Sequence, residues 1–326
     1  MNDPAGTAAV SVVVPLYDKA AYVERALRSI FRQSFGDYEV IVVDDGSTDD
    51  GAARVAAFHH PQVRLIRQPN AGPGAARNRG IAEARGAIVA FLDADDEWQP
   101  EYLSHAVDAL RAHPEAAAVT CAHIDVPPGR STAPAWVRRG IVPGIFRARP
   151  DTSPALLVTL VAFMWTSATA VRTEVVRRLG GFYENRCRYG EDAVLMLKLA
   201  LCEAIVLSLE PLAIYHREHS ELNRRDLGAR PVEPFLLDPS EIEAAAPVAL
   251  QPLLRAVLNA RAHKTACMLT YWGRWREGRA LIRRFRTRRS WQLPLFAAAT
   301  IGVNPAGACA GALVRASRRM PVRTRA

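Results

Sequence analysis

Four short runs rich in β-branched residues, at 10–14, 39–43, 63–67 and 87–92, alternate with three helical patterns, and this alternation restricts the fold more than any other feature. The first helical pattern sets Tyr22, Val23, Ala26, Leu27, Ile30 and Phe31 on one face, with Asp18 as its candidate N-cap. The second covers 47–58 and the third 74–84. Strands and helices in this order predict an α/β chain with a mostly parallel, doubly wound sheet, because parallel neighbours need a crossover and a helix commonly supplies it. Ligands of such sheets bind beyond the carboxyl ends of the strands. Asp44 and Asp45 follow the second run and Asp93, Asp95 and Asp96 follow the fourth, so both acidic groups are expected at one rim.

The later group is the more informative. Three acids within Asp93-Ala94-Asp95-Asp96 repel one another where an apolar run ends. Magnesium or manganese removes that repulsion and commonly bridges carboxylates to the phosphates of a substrate. An acidic turn is the alternative, with Asp95 or Asp96 capping a helix that starts near Pro100.

Composition narrows the class. The chain has 326 residues and 49% hydrophobic content, enough for a globular core. Its five cysteines are odd in number and lack CxxC pairing, which signals neither a disulfide framework nor zinc and suggests a reducing cytosol. Residues 1–9 lack a basic region and a long apolar stretch, so no secretory signal is expected. From 261 onward, 15 Lys or Arg face one acid, Glu277. That segment carries +14 against +9 for the whole chain, which leaves −5 for residues 1–260. A basic tail on an acidic body disfavours nucleic acid as a partner and leaves an anionic membrane surface open.

Beyond residue 121 the pattern loosens. Residues 122–152 are rich in Pro, Gly and Arg and read as an acceptor-side loop or a surface insertion. Helices are expected near 154–162 and over 191–201, and strands near 167–172, 204–207 and 212–216. From about 239 the text is helical. Residues 293–314 are apolar, but Asn304-Pro305 divides them into pieces too short for the roughly 20 residues that a bilayer needs, so an interfacial or a packed helix pair is expected.

Six blocks stand in order: Val12-Val13-Val14-Pro15-Leu16-Tyr17-Asp18, Val42-Val43-Asp44-Asp45-Gly46-Ser47-Thr48-Asp49, Asn70-Ala71-Gly72-Pro73-Gly74-Ala75-Ala76-Arg77-Asn78, Phe91-Leu92-Asp93-Ala94-Asp95-Asp96, Gly180-Gly181-Phe182 and Gly190-Glu191-Asp192. Together they resemble the family 2 glycosyltransferases of the GT-A fold over about residues 10–222. The resemblance implies a Rossmann-like GT-A domain over 1–238, with a nucleotide half at 10–120 and an acceptor half at 121–238, followed by a helical, Arg-rich extension at 239–326. It implies inverting transfer from a nucleoside-diphosphate sugar, expected to be a UDP-sugar, with Mn2+ or Mg2+. The acceptor would be a glycan, a lipid-linked or a small-molecule hydroxyl. A cytoplasmic location follows, with peripheral attachment to the inner face of the membrane as an option.

Residue by residue, the resemblance gives Pro15 and Tyr17 as a wall for the base and Asp45, with Asp44 second, as acceptor of a uracil-type N–H; Asp-Gly-Ser also makes an ordinary Asx turn. Asn70 and Arg77 belong to a Gly-rich loop opening a helix, where backbone N–H groups can meet phosphate or ribose, although Arg77 could equally serve an ion pair. Asp95 matches the metal ligand, Asp93 supports ribose or metal, and Asp96 is a nearby alternative. Asp192, with Glu191, matches the catalytic base pair, though two acids at a helix start also simply cap it. The usual acid or aromatic followed by Asp-Leu is replaced by Ala193-Val194-Leu195. His219 matches a histidine that reaches the metal or diphosphate, and Arg217 and Arg224 could neutralise phosphate; a lone His near a strand end is often structural.

Two rivals remain. Sugar nucleotidyltransferases use a related sheet but carry a Gly-rich phosphate loop after the first strand, where this chain has Pro-Leu-Tyr-Asp. A non-catalytic nucleotide-sugar binding or membrane-surface assembly protein would draw on the basic tail.

Overall fold

The computed structural model describes residues 8–185, 187, 189–218, 230–286 and 302–309. Its centre is a ten-stranded sheet, within the described residues, in the order β3-β2-β1-β4-β9-β6-β10-β5. These are β1 (Val10–Leu16), β2 (Tyr38–Asp44), β3 (Val63–Arg67), β4 (Ile88–Phe91), β5 (Glu97–Trp98), β6 (Ala116–Val126), β9 (Thr169–Arg172) and β10 (Ala204–His216). Short strands β7 (Arg130–Ser131) and β8 (Gly144–Arg147) pair antiparallel to β6 and β10. β1, β2, β3 and β4 are parallel neighbours, β6 and β10 are parallel, and β9 runs antiparallel between β4 and β6. The sheet is therefore mostly parallel, as the alternating sequence requires.

Register explains where the acids emerge. Leu16 is level with Asp44, and Val13 with Phe91, so the chain leaves β1, β2 and β4 at one rim. Central strands β1 and β2 are buried on both faces because helices cover both. One core lies on the side of α1 (Val23–Phe31) and α4 (Tyr102–Ala112). The other holds α3 (Pro73–Glu83), α6 (Pro154–Phe163) and α8 (Glu191–Cys202). It continues without a break into α11 (Gln251–Tyr271), through Leu253, Leu254, Val257 and Leu258. Lys198 of α8, 1% exposed, is held by the Leu179 carbonyl and Glu241 of α10 (Ser240–Ala245). The segment after 239 is thus packed into the body as far as α12 (Trp275–Phe285), while most of the apolar piece at 293–314 lies outside the described residues.

Several elements differ from expectation. Asp18 does not cap α1, whose N-cap is Tyr22; instead Asp18 has φ +48° and accepts the Thr48 amide at 2.7 Å. Helix α2 (Gly51–Ala57) starts later than residue 47, because Asp44 and Asp49 accept the Ser47 and Gly51 amides in tight local turns. Neither Asp95 nor Asp96 caps α4, whose N-cap is Glu101. Residues 122–152 are not one loop: they contain the end of β6, β7, α5 (Ala133–Arg138) and β8, pinned by buried Trp136. The two strands expected at 204–207 and 212–216 are one, with register shifts around Pro211, which lacks an N–H for the ladder.

Gly80 lets α3 lie on β1. A Cβ there would sit 2.3 Å from a methyl of buried Val13. Although Ala favours helix by about 1 kcal/mol over Gly, Gly80→Ala is expected to lose about 1–3 kcal/mol by overpacking. Urea denaturation checks this, with Gly36→Ala as the reference, since a Cβ at Gly36 meets nothing within 4 Å.

Candidate active site

Arg77 lies at the centre of the rim. It sits on α3, 5% exposed, and its guanidinium joins two segments far apart in sequence: Nη1 donates to Glu191 Oε1 at 2.9 Å and Nη2 to Asp93 Oδ1 at 2.7 Å. The ring of Phe182 lies 5.1 Å away. The Asp93 and Glu191 carboxylates outweigh burial and raise the Arg77 pKa further above its already high value, so its charge is permanent.

Each segment is seated by specific contacts. Asn78, one residue after Arg77, donates to the Phe182 carbonyl and accepts the Phe182 amide, both at 2.8 Å. Gly181 has φ +69°, and a Cβ on it would strike Asn78 Oδ1 at 2.2 Å; the glycine pair is what admits this contact. Gly190, in the left-handed region at φ +79°, opens α8 and leaves Glu191 and Asp192 in its first turn. A helix start favours carboxylates there.

Asp45 works inward. Its Oδ1 accepts Gln68 Nε2 at 2.7 Å and the Ala71 amide at 2.9 Å, while Oδ2 accepts the Gly72 amide at 2.8 Å. The buried acid thereby fixes the loop that feeds α3 and so positions Arg77. Asp44 is different: with Gly46, Ser47, Asp49, Arg67 and Gln68 it lines an open cleft of about 560 Å³. Asn70 is exposed and lies against Gly46, Pro15 pairs with Val43 within the sheet, and Tyr17 is 41% exposed at the end of β1.

The acids after β4 have separate surroundings. Asp95 Oδ2 meets Lys19 Nζ at 2.8 Å, and its carbonyl accepts Arg25 Nη2 at 2.6 Å. Burial raises the Asp95 pKa against the opposing pull of Lys19. Asp96 is 1% exposed; Ser167 Oγ donates to one of its oxygens at 3.0 Å and the His216 amide to the other at 3.3 Å. Burial, and then the neighbouring Asp95 and Asp93, push its pKa well up. Asp96 is therefore a strut beneath the turn, and its placement does not favour the part of an alternative metal ligand. Trp98, also buried, donates to the Ser167 carbonyl at 2.6 Å and stacks on Tyr102.

Asp192 is partly exposed beside Glu191, with the Ala193 amide donating to its Oδ1 at 2.8 Å. Desolvation, then repulsion from Glu191, raise its pKa to about 6 against the attraction of Arg77. Asp93 also acts on Asp192 electrostatically, so the first turn of α8 and the turn after β4 share one neighbourhood. His219 and Arg224 lie outside the described residues, and Arg217 pairs with Asp125 at 3.5 Å. Among the described residues no three His, Cys, Asp or Glu side chains converge to hold an ion unaided. The contacts made by Lys19, Asn78, Arg25 and Ser167 were not anticipated, and no local sequence cue pointed to them.

Comparison with known proteins places the chain in a family. Residues 11–180 match the model of glycosyl transferase family 2, and the chain belongs to that family. An uncharacterized glycosyltransferase of Nostoc sp. is 30% identical over 219 residues, 66% of each chain. Succinoglycan biosynthesis protein ExoO of Rhizobium meliloti is 34% identical over 238 residues, 69% of this chain and 66% of its own. The chain thus spans just under two thirds of these relatives' length. Among solved structures, S. aureus TarS 1-349 in complex with UDP-GlcNAc is similar with a TM-score of 0.55 at 19% identity, over 85% of this chain and 88% of that one. Mannosyltransferase PcManGT from Pyrobaculum calidifontis, in complex with GDP-Man and Mn2+, gives 0.53 at 19% identity, over 98% and 90%. These two likenesses speak for the fold.

Removing the guanidinium strands two carboxylates. Arg77→Met is expected to cost about 3–5 kcal/mol, and Glu191→Gln added to it should restore part of that loss. Chemical denaturation of the single and double variants measures both.

Proposed function

We propose that this chain transfers a glycosyl group from a nucleoside-diphosphate sugar to an acceptor hydroxyl with inversion, and that Asp192 is the base. The observation that carries this reading is the Arg77 bridge, which holds the α8 start bearing Asp192 and the turn bearing Asp93 and Asp95 around one rim. Asp192 takes the acceptor proton, the freed oxygen forms a bond to the anomeric carbon, and the bond from that carbon to the diphosphate oxygen breaks with its electron pair leaving on the diphosphate. No covalent enzyme intermediate is required.

The residues fit a divalent ion of the magnesium or manganese kind. Such ions use one or two carboxylates and complete their shell with water and substrate phosphates, and Asp95 and Asp93 supply that number. When bound, the ion would offset charge developing on the departing diphosphate. Asp95 is its proposed ligand and Asp93 supports it; His219 remains proposed as a further ligand. For the base, the proposed wall is Pro15, Tyr17, Asp44, Asp45 and Asn70. Asp45 already accepts three hydrogen bonds, which leaves about one of its roughly four acceptor sites for an imino N–H. Asp44, beside the open cleft, is the second acceptor.

A UDP-sugar is the proposed donor, and the complexes of TarS with UDP-GlcNAc and of PcManGT with GDP-Man and Mn2+ make UDP and GDP sugars the first to try. The likeness to a succinoglycan biosynthesis protein supports a growing polysaccharide or its lipid-linked precursor as acceptor. Segment 122–152 is proposed to choose among acceptors. No helix among the described residues is long and apolar enough to cross a membrane; attachment of the basic tail to an anionic membrane surface is a proposal.

A nucleotide-sugar panel, with and without Mn2+, tests the donor: the true one raises the melting temperature by mass action and yields nucleoside diphosphate, whereas pyrophosphate as product would refute sugar transfer. Asp192→Asn is expected to lose about 10²–10⁴ in turnover while nucleotide still binds. Since the base acts ionised, kcat/KM should decline about tenfold per unit below pH about 6, a value raised first by burial, with Glu191, Arg77 and Asp93 the charges that act on it. A profile flat down to pH ~4, near an ordinary carboxylate, would show that the base is not held above the usual carboxylate range. Asp95→Asn should weaken Mn2+-dependent nucleotide binding, read by calorimetry.

A further inference from the structure

The acids at the turn after β4 are neutralised in two unlike ways. Asp93 is held by Arg77, a rigid fork that is 6% exposed and bridges to Glu191 as well. Asp95 is held by Lys19, and both side chains are partly open, at 15% and 18%. A lysine is a compact charge on a flexible stem, suited to moving between partners.

Lys19 is delivered to this place by a built turn. Asp18 adopts φ +48°, a conformation that costs a non-glycine residue of order 1 kcal/mol or more, and it is retained by the Thr48 amide and hydroxyl on its carboxylate and by its own amide on Ser47 Oγ. The Lys19 ammonium also lies 5.8 Å from the Tyr22 ring. Meanwhile the turn it touches is secured at the main chain by other groups. Arg25 holds the Asp95 carbonyl, the Asp96 amide donates to the Asp93 carbonyl, and the Asp93 amide donates to Ser167 Oγ. Lys19 meets Asp95 at the carboxylate whereas the main chain of the turn is held by these other groups, so the contact can be exchanged without dismantling the turn. Among the described residues, Arg25, Asp93 and Asp96 also bear on Asp95.

We propose that Lys19 is a tethered counter-cation that competes with a divalent ion for Asp95, so that the free protein holds the ion weakly and holds it firmly once a diphosphate takes over the lysine's charge. This rests on Asp95 being the metal ligand. An ammonium and a divalent ion on one carboxylate repel strongly where the effective dielectric is near 20 and not 80. A diphosphate relieves that repulsion by offering the ammonium an anionic partner of its own. Metal and nucleotide binding would then be coupled, each strengthening the other by the same factor.

The test is Mn2+ binding to the full chain, read from the electron paramagnetic resonance signal of free Mn2+. Without nucleotide, Lys19→Met is expected to bind Mn2+ about tenfold tighter than wild type, whereas Lys19→Arg, which keeps the charge, stays near wild type. A gain in affinity is not what damage to the fold produces. With UDP and GDP added in turn, the nucleotide's enhancement of Mn2+ binding should shrink in Lys19→Met by a similar factor. Unchanged or weaker Mn2+ binding by Lys19→Met overturns the proposal, and so does undiminished coupling. If Lys19→Met gains affinity and Lys19→Met with Asp95→Asn keeps that gain, the ion sits elsewhere and the assignment of Asp95 is what fails.

Discussion

A single buried guanidinium holds this rim together. Arg77 reaches in one direction to the turn that ends β4 and in the other to the first turn of α8, and no backbone ladder joins those two segments directly. Placing a charge where it is 5% exposed is costly unless it is paired and hydrogen-bonded. Here the two carboxylates supply both, and the requirement propagates outward. Asp45 must hold the loop before α3, Asn78 must hold Gly181-Phe182, and Gly190 must turn the chain into α8, or the fork would miss its partners.

The same constraint separates two classes of acid. Asp45, Asp96 and Glu191 are buried with carboxylates committed to protein donors or cations, which makes them parts of the frame. Asp192, Asp93 and Asp95 sit at its edge, partly exposed, with Arg77 on Asp93 and Lys19 on Asp95. Glu191 repels Asp192, and Asp93 repels Asp95. Acids left at the mouth of a charged frame resist ionisation, which suits a group that must accept a proton near neutral pH. On the proposed function, chemistry and stability are divided among neighbours in sequence: Glu191 anchors so that Asp192 can act.

Much of this was legible beforehand. The four strands up to β4 were found from their β-branched runs, and β3 matches to the residue. Parallel register then required Asp44 and Asp93 to share a rim. What stayed hidden has physical reasons. Strand β6 opens Ala-Ala-Ala, a composition without strand preference, and takes its conformation from being sandwiched between β9 and β10. Segment 122–152 looked irregular because its strands are two and four residues long and rely on neighbours for pairing. Contacts such as Lys19 with Asp95 or Asn78 with Phe182 span 76 and 104 residues, and no local pattern encodes them. The structure also adds structural duties to the acidic motifs: the second acid of Asp44-Asp45 braces a loop, and the last acid of Asp93 to Asp96 supports the turn from beneath.

The central claim is that this frame gathers Asp95 and Asp192 around one cleft that receives a metal diphosphate. Crystals grown with Mn2+ and UDP or GDP, measured at a wavelength where manganese scatters anomalously, address it directly. The account requires a manganese peak within about 2.0–2.6 Å of an Asp95 oxygen, with the diphosphate lying between it and the first turn of α8. A peak at the other end of the sheet, or a diphosphate bound with Asp192 shut away from it behind packed side chains, would contradict it.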